Sequence, residues 1–146
     1  MPKAPDRGMV IIDASIAVKW VVDEPDGDKA ERLLGERLAA PTLWLAEAAS
    51  ALWSKCRRQD LSEDEVRGAC LTLRQAPVLH LSLDLLLPTA IDHALRLQHP
   101  VYDCFYLAAA HLHDTHMVTA DLRFARRVAS HPDHASRVRL LANLAT

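Results

Sequence analysis

The chain has 146 residues, of which half are apolar and a quarter are charged, and its formal net charge is −2. This length and composition predict one compact domain and exclude an intrinsically disordered chain. The mild acidity argues against capture of nucleic acid by bulk charge, although a local basic rim around an acidic site would not show in the sum.

The N-terminus divides into a short polar segment and the first element of the fold. Residues 1–8, M-P-K-A-P-D-R-G, contain two prolines and a glycine, and we expect them to form a flexible extension. The apolar run from Met9 to Ile12 then predicts a strand that is buried on both faces. The domain is therefore expected to cover residues 9–146.

Apolar residues at helical spacing, with capping residues and prolines at the boundaries, predict seven helices after this strand. Ser15 is expected to cap the first of them, and S-E-D-E at 62–65 forms a capping box that opens the fourth. The predicted helices cover residues 15–20 or 15–22, 28–39, 43–58, 62–76, 85–98, 102–114 and 123–130. The predicted strands cover residues 9–12, 77–81, 117–119 and 138–141. This order predicts an α/β fold, a three-layer α/β/α sandwich with a mainly parallel central sheet.

Four carboxylates differ from the acids on solvated helix faces. Asp13 ends the first strand and Asp121 lies two residues past the strand that ends at Thr119, and ligands bind at the carboxyl ends of such strands. Asp103 is flanked by apolar residues, and Glu47 lies in a helix that is otherwise uncharged nearby. We expect no base close in sequence to pair with these acids, and an unpaired buried carboxylate costs several kcal/mol.

Ordinary structural roles are open to two of these acids. Asp13 can serve as the N-cap of the first helix, and Asp103 can be an acid that the helix dipole favours in a first turn. Glu47 has no comparable explanation. The pattern alone therefore leaves capping and chemistry open as alternatives.

Four segments together resemble the successive motifs of PIN-domain nucleases, particularly the single-domain ribonuclease toxins of VapBC toxin-antitoxin pairs. They are D-A-S-I-A-V-K-W at 13–20, the helical Glu47, Y-D-C-F-Y-L-A at 102–108 and V-T-A-D at 118–121. The likeness extends over residues 9–141. It implies a PIN-like fold in which the four acids converge at one end of the sheet.

The resemblance implies an endoribonuclease that hydrolyses RNA with the help of Mg²⁺ or Mn²⁺. Asp13, Asp103 and Asp121 are then the expected metal ligands, and Glu47 either ligates the metal or orients the attacking water. Carboxylates ~4 Å apart repel by roughly 4 kcal/mol at an effective dielectric of ~20, and hard cations with oxygen ligands relieve that repulsion.

Four polar residues near the acids are expected to support binding. Ser15 and Thr119 each lie two residues from an acid and can bond a carboxylate, a bound water or a phosphate, although Ser15 can also be only a cap. Lys19 is the strongest candidate for a contact with the RNA backbone. Ser50, one turn after Glu47, stands where this family often has asparagine, so a catalytically silent PIN-like interaction module remains an alternative.

A phosphoaspartate domain is a further alternative that the sequence disfavours. A receiver-like domain needs an acidic pair after the first strand, and a haloacid-dehalogenase-type phosphatase needs an aspartate two residues after the first. The chain has Ala14 and Ser15 at these positions.

The expected partners are an RNA substrate, an antitoxin and a second copy of the chain. Trp20, Trp44 and Trp53, with the leucines of helices two to four, offer more apolar surface than a small sheet can bury, which favours a homodimer and a groove for a partner segment. The resemblance implies an antitoxin that inhibits by placing an arginine among the carboxylates.

Cysteine usage and hydropathy indicate the cellular setting. The three cysteines are odd in number and contain no C-x-x-C pair, so neither a disulfide framework nor a zinc site is indicated. No stretch approaches the ~20 apolar residues of a membrane span. We therefore expect a cytoplasmic protein that does not contact a membrane.

Overall fold

The structure, a computed structural model, describes residues 8–145. The expected extension over residues 1–8 lies outside the described residues except for Gly8. Gly8 is exposed and has a φ of 102°, a left-handed value that glycine adopts at little cost. It leads directly into the first strand.

Within residues 8–145 the fold contains seven α-helices, five strands and two short 3₁₀ turns. The strands are β1 (Met9–Ile12), β2 (Arg37–Pro41), β3 (Val78–Leu81), β4 (Met117–Thr119) and β5 (Val138–Leu140). The helices are α1 (Ala14–Val21), α2 (Gly27–Leu33), α3 (Trp44–Arg57), α4 (Glu63–Arg74), α5 (Leu83–Leu97), α6 (Val101–Leu112) and α7 (Leu122–Ala129). The 3₁₀ turns are Ala135–Arg137 and Leu141–Asn143.

The five strands form one parallel sheet in the order β3-β2-β1-β4-β5. The central strand β1 is buried along its whole length, and Ile11 is in register with Ala39 of β2 on one side and Met117 of β4 on the other. A parallel strand covered on both faces requires apolar residues at successive positions, which explains the unbroken run M-V-I-I.

Helices cover both faces of this sheet. Connections between parallel strands are right-handed, so the change of direction after β3 places α1 to α4 on one face and α5 to α7 on the other. The contacts agree, since α1 packs against α2, α3 and α4, and α5 packs against α6. The predicted α/β sandwich with a parallel central sheet is confirmed.

The site of interest follows from the strand order. The chain leaves β1 toward β2 on one side and leaves β4 toward β5 on the other, so neighbouring strands β1 and β4 form the topological switch point of the sheet. Ligands bind at such a point, outside the carboxyl ends of the strands. Asp13 follows β1 and Asp121 closely follows β4, which places both acids at this edge.

The predicted helix over residues 28–39 is wrong in its second half. Helix α2 ends at Leu33, and residues 37–41 form β2, a strand that the sequence did not predict. Ala39 and Ala40 are fully buried between β1 and β3, where small side chains fit. A five-residue run rich in alanine carries no clear strand periodicity, and only its position in the sheet determines its conformation.

The core on both faces of the sheet is apolar. Its largest fully buried side chains include Trp44 of α3, Tyr106 of α6 and Phe124 of α7. Each large apolar side chain buried in this way stabilises the fold by about 1.5 to 3 kcal/mol. In the part of the chain that the structure describes, no helix combines the length and apolarity required to cross a membrane.

Candidate active site

Asp13 is the most buried acid of the site and is held by three hydrogen bonds. It is the N-cap of α1, and its Oδ1 accepts from the Ser15 amide at 3.1 Å and from the Ser15 hydroxyl at 2.5 Å. Its Oδ2 accepts from the Thr119 hydroxyl at 2.5 Å. The residue that caps α1 is therefore Asp13 rather than Ser15, and only 7% of Asp13 is exposed.

Burial raises the pKa of Asp13 to about 6. Donation from Ser15 and Thr119 favours the ionised form and opposes this increase, whereas the negative charge of Asp103 adds to it. The carboxyl of Asp13 therefore lies close enough to Asp103 for their charges to interact.

Ser15 and Thr119 join the ends of β1 and β4 around this carboxyl. The Ser15 hydroxyl donates to Asp13 and accepts from the amide of Ala120 at 2.9 Å. The fully buried Thr119 hydroxyl donates to Asp13 and accepts from the amide of Asp121 at 3.0 Å. Each hydroxyl thus contacts an acid and also fixes the backbone leading to α7.

Glu47 is a half-buried residue on α3 whose carboxylate is bonded to Tyr106 on α6. The Tyr106 hydroxyl donates to Glu47 Oε1 at 2.6 Å, and the tyrosine is almost fully buried. Burial raises the pKa of Glu47, the bond from Tyr106 opposes that increase, and the charge of Asp103 adds to it. Glu47 therefore lies within electrostatic reach of Asp103 although 56 positions separate them in the sequence.

Asp103 lies in the first turn of α6 and has a base beside it. His99 Nε2 lies 2.6 Å from Asp103 Oδ2. The expectation that no base close in sequence pairs with these acids is therefore wrong for Asp103. Sequence reasoning missed this base because His99 lies in the turn before α6, where helical spacing does not relate it to Asp103.

Asp121 combines a capping role with a place at the site. It is the N-cap of α7, and its Oδ1 accepts from the amide of Phe124 at 3.1 Å. Asp121 is exposed, and its side chain lines the same cavity as the other three acids. Asp13 and Asp121 thus both cap helices at the switch point of the sheet.

A cavity of about 540 Å³ lies between α1, α3, α6 and the loop after β4. The four predicted acids, Asp13, Glu47, Asp103 and Asp121, all line it, and Glu24 lines it as well. Ser15 and Lys19 line it as well, and Thr119 supports it from behind Asp13.

Ser50 does not line the cavity. It is exposed on α3, whereas the residues of that helix that line the cavity are Glu47, Ala51, Ser54, Lys55 and the C-cap Arg58. The expected supporting role of Ser50 is therefore not what the structure shows.

The other wall of the cavity is basic. Glu24 forms salt bridges with Lys55 at 2.7 Å and with Lys19 at 3.5 Å. Lys19 also donates a hydrogen bond to the carbonyl of Pro25 at 2.9 Å. Burial alone would raise the pKa of Glu24, but its bond to Lys55 and the charges of both lysines outweigh this and lower it. Sequence reasoning missed Lys55 and Glu24, since only the packing of α3 against the loop after α1 brings them together.

The donor atoms of the site suit a hard divalent cation. Carboxylate oxygens without thiolates are the preferred ligands of Mg²⁺ and Mn²⁺. Burial raises the pKa values of Asp13 and Glu47, and the charge of Asp103 adds to both. Among residues 8–145, no three histidine, cysteine, aspartate or glutamate side chains lie in an arrangement that could hold a metal ion by themselves. A cation at this site would need water and phosphate oxygens in its shell, which Mg²⁺ usually keeps.

Comparison with known proteins agrees with this geometry. The PIN domain family matches residues 10–129. Ribonuclease VapC12 of Mycobacterium tuberculosis is 31% identical over 135 residues, which cover 92% of this chain and 100% of that protein. Ribonuclease VapC9 of the same organism is 31% identical over 117 residues, covering 80% and 89%. The chain therefore belongs to the PIN-domain family, among the VapC ribonucleases.

Solved structures show the same fold. PAE2754 from Pyrobaculum aerophilum is similar with a TM-score of 0.66 and 18% identity, covering 92% of this chain and 85% of that one. A toxin-antitoxin complex from Klebsiella pneumoniae is similar with a TM-score of 0.64 and 12% identity, covering 90% and 97%. At these identities the likeness establishes the fold alone.

Proposed function

We propose that this chain is a metal-dependent endoribonuclease that hydrolyses RNA phosphodiester bonds and acts in the cytoplasm as the toxin of a type II toxin-antitoxin pair. The observation that carries the proposal is the meeting of Asp13, Glu47 and Asp103, from three separate parts of the chain, in one cavity with Asp121. Membership among the VapC ribonucleases supports this assignment of the reaction.

In this proposal the acids divide their roles by position. Asp13, Asp103 and Asp121 hold Mg²⁺ or Mn²⁺, and Glu47 either ligates the cation or orients the attacking water. Such a cation lowers the pKa of a bound water and offsets the negative charge of the phosphodiester. Donation from Ser15 and Thr119 to Asp13, and from Tyr106 to Glu47, favours the ionised carboxylates that this chemistry requires.

The basic wall of the cavity would receive the RNA backbone. Lys19 and Lys55 lie beside the acids, and Arg58 extends the same wall toward solvent. Contacts of this kind provide affinity and salt dependence without sequence selectivity. The net charge of −2 is compatible with this binding because the positive charges are local.

The experiment is cleavage of a structured RNA by the purified full chain with Mg²⁺ or Mn²⁺. Cleavage is expected with either cation, is expected to stop in EDTA and to return when the cation is restored. Asp13→Asn should abolish it while the protein remains folded by circular dichroism, and the exposed Asp92→Asn is the matched control. Cleavage that continues in EDTA would contradict the metal-dependent mechanism, and absence of cleavage by the wild-type chain would favour the silent interaction module.

We also propose that the chain forms a homodimer and binds an antitoxin segment. Of the three tryptophans, Trp44 is buried and Trp20 donates to the carbonyl of Ala30, whereas Trp53 is 56% exposed. Trp53 lies in a groove between α3 and α4 that Cys56, Val66 and three charged residues complete. An amphipathic segment suits such a groove. The groove and the cavity use different sides of α3, so the partner would have to extend around that helix to place an arginine among the acids.

These two associations are tested separately. Light scattering after gel filtration should give twice the monomer mass for the purified chain. Co-expression with the neighbouring reading frame should yield a complex in which cleavage is inhibited, and Trp53→Glu should weaken that complex without reducing cleavage by the free chain. A monomeric mass would contradict the homodimer, and full inhibition of Trp53→Glu would contradict the groove.

A further inference from the structure

His99 occupies a fixed position in the turn between α5 and α6. Gln98 before it adopts a left-handed conformation with a φ of 52°, and Pro100 after it is the N-cap of α6. The amide of His99 donates to the carbonyl of Ala94 at 3.2 Å. The turn therefore fixes the backbone of His99, and only 13% of its side chain is exposed.

The imidazole ring is also held by packing. It lies against the ring of Phe124, with centroids 4.8 Å apart and the planes inclined by 42°. Phe124 is almost fully buried on α7, and its amide is the one that Asp121 caps. The first turn of α7 thus positions both Asp121 and the aromatic surface that supports His99.

The ring is bonded to an acid of the site. His99 Nε2 lies 2.6 Å from Asp103 Oδ2, and an ionised carboxylate can only accept, so Nε2 carries the hydrogen and donates it. The side chain of Asp103 is 35% exposed, so packing alone leaves it free to change rotamer. The bond from His99 fixes one oxygen of Asp103 and with it the orientation of the carboxylate.

We propose that His99 is a positioning residue for the reaction proposed above, on which this inference rests. It holds the carboxylate of Asp103 in the orientation that the cavity requires, and through Phe124 it couples that orientation to the position of Asp121. A neutral imidazole with its hydrogen on Nε2 is sufficient for this role. Residues that orient metal-binding carboxylates in this way typically contribute about 10- to 100-fold to activity or metal affinity.

The first test is kinetic and uses the full chain. His99→Phe retains a ring against Phe124 and removes the donor, and His99→Gln restores an N–H donor. For RNA cleavage in saturating Mn²⁺, His99→Phe should lower kcat by about 10- to 100-fold with little change in KM. His99→Gln should recover part of that loss, and the same change at the far end of α6, His113→Phe, should leave kcat unaltered.

The second test needs neither cation nor substrate. In EDTA, ¹⁵N NMR of the histidine rings should show the hydrogen of His99 on Nε2, and Asp103→Asn should shift that signal more than the control Asp92→Asn does. Thermal unfolding of His99→Phe should stay close to that of wild type, which separates positioning from a general loss of structure.

Each negative outcome has one meaning. If the wild-type chain cleaves RNA and His99→Phe cleaves equally well, the positioning role is wrong and the proposed function stands. The same holds if the NMR signal places the hydrogen on Nδ1 alone. If the wild-type chain shows no metal-dependent cleavage, the proposed function fails, and the role of His99 fails with it.

Discussion

Asp13 shows how burial and hydrogen bonding compete at a single side chain. Burial disfavours its negative charge, and donation from Ser15 and Thr119 recovers only part of that cost, because the pKa remains raised to about 6. In the absence of a cation the folded chain therefore binds a proton at Asp13 more tightly than the unfolded chain does. At a pH where Asp13 is ionised, its buried negative charge therefore lowers the stability of the cation-free fold.

The stability of the cation-free protein should therefore fall as the pH rises through this range. With a pKa of 3.8 when unfolded and about 6 when folded, Asp13 stabilises the fold fully below about pH 4, and this contribution is lost as the pH rises through about 6. The difference corresponds to about 3 kcal/mol. Urea unfolding in EDTA at a series of pH values measures this change in the free energy of unfolding. Asp13→Asn should not show the change, because asparagine does not titrate. Parallel pH profiles for wild type and Asp13→Asn would contradict the assignment.

Tyr106 should stabilise the fold through its bond to Glu47. Tyr106→Phe keeps the buried ring and removes the donor, so the half-buried carboxylate loses a bond of a kind typically worth about 1.5 to 3 kcal/mol. Urea unfolding near pH 8 should show a loss of about that size, and the exposed Tyr102→Phe should show none. In a double-mutant cycle, Tyr106→Phe should cost much less in a Glu47→Leu background, which has no acceptor for the hydroxyl, and equal costs in both backgrounds would place the effect elsewhere.

The helices and strands differ in how far their own sequence determines them. The run from Met9 to Ile12, the capping box at Ser62 and the break at Pro100 each carry a local physical signal, and the structure has an element boundary at each. Residues 37–41 carry none, because L-A-A can be helical or extended. The contacts of β2 with β1 and β3 decide between these, and such long-range contacts are not visible in a local pattern.

The features of the candidate site likewise differ in whether a local sequence pattern or a long-range contact determines them. Asp13 and Asp121 were predictable because they follow strand ends, and Glu47 and Asp103 were predictable because their sequence neighbours are apolar. The convergence of the four acids was inferred from the family resemblance. The bond between Tyr106 and Glu47 spans 59 positions, and no spacing rule relates residues so far apart. Ser50 was expected at the site because it lies one turn after Glu47. In the structure Ser50 is exposed, and Ala51 and Ser54 line the cavity instead.

The capping box of α4 is an element whose contribution can be measured in isolation. The Ser62 hydroxyl accepts from the amide of Glu65 at 3.1 Å, and the Glu65 carboxylate accepts from the amide of Ser62 at 3.0 Å. Ser62→Ala should therefore lower the free energy of unfolding by about 1 kcal/mol, measured by urea denaturation. Ser50 is exposed and lies within α3, away from both of its ends, so Ser50→Ala should not measurably lower the free energy of unfolding. An equal loss in both variants would show that the effect is not due to the cap.

The molecule as a whole brings Asp13, Glu47, Asp103 and Asp121 from separate parts of the chain to one cavity. Several surface acids pair with nearby bases, as Asp114 does with Arg137 and Asp64 with Arg67. Burial raises the pKa values of Asp13 and Glu47 in this cavity, and the negative charge of Asp103 raises both further. The fold therefore contains a local electrostatic stress that a bound cation would relieve.

Mn²⁺ should consequently stabilise the whole fold at neutral pH. A ligand that binds only the folded state at 100 times its Kd contributes about 2.7 kcal/mol, and thermal unfolding in Mn²⁺ against NaCl of equal ionic strength measures the gain. The gain should be largely lost in Asp13→Asn, retained in the control Asp92→Asn, and absent below about pH 4, where protons compete for the carboxylates. An equal gain in Asp13→Asn and wild type would place the cation outside the cavity.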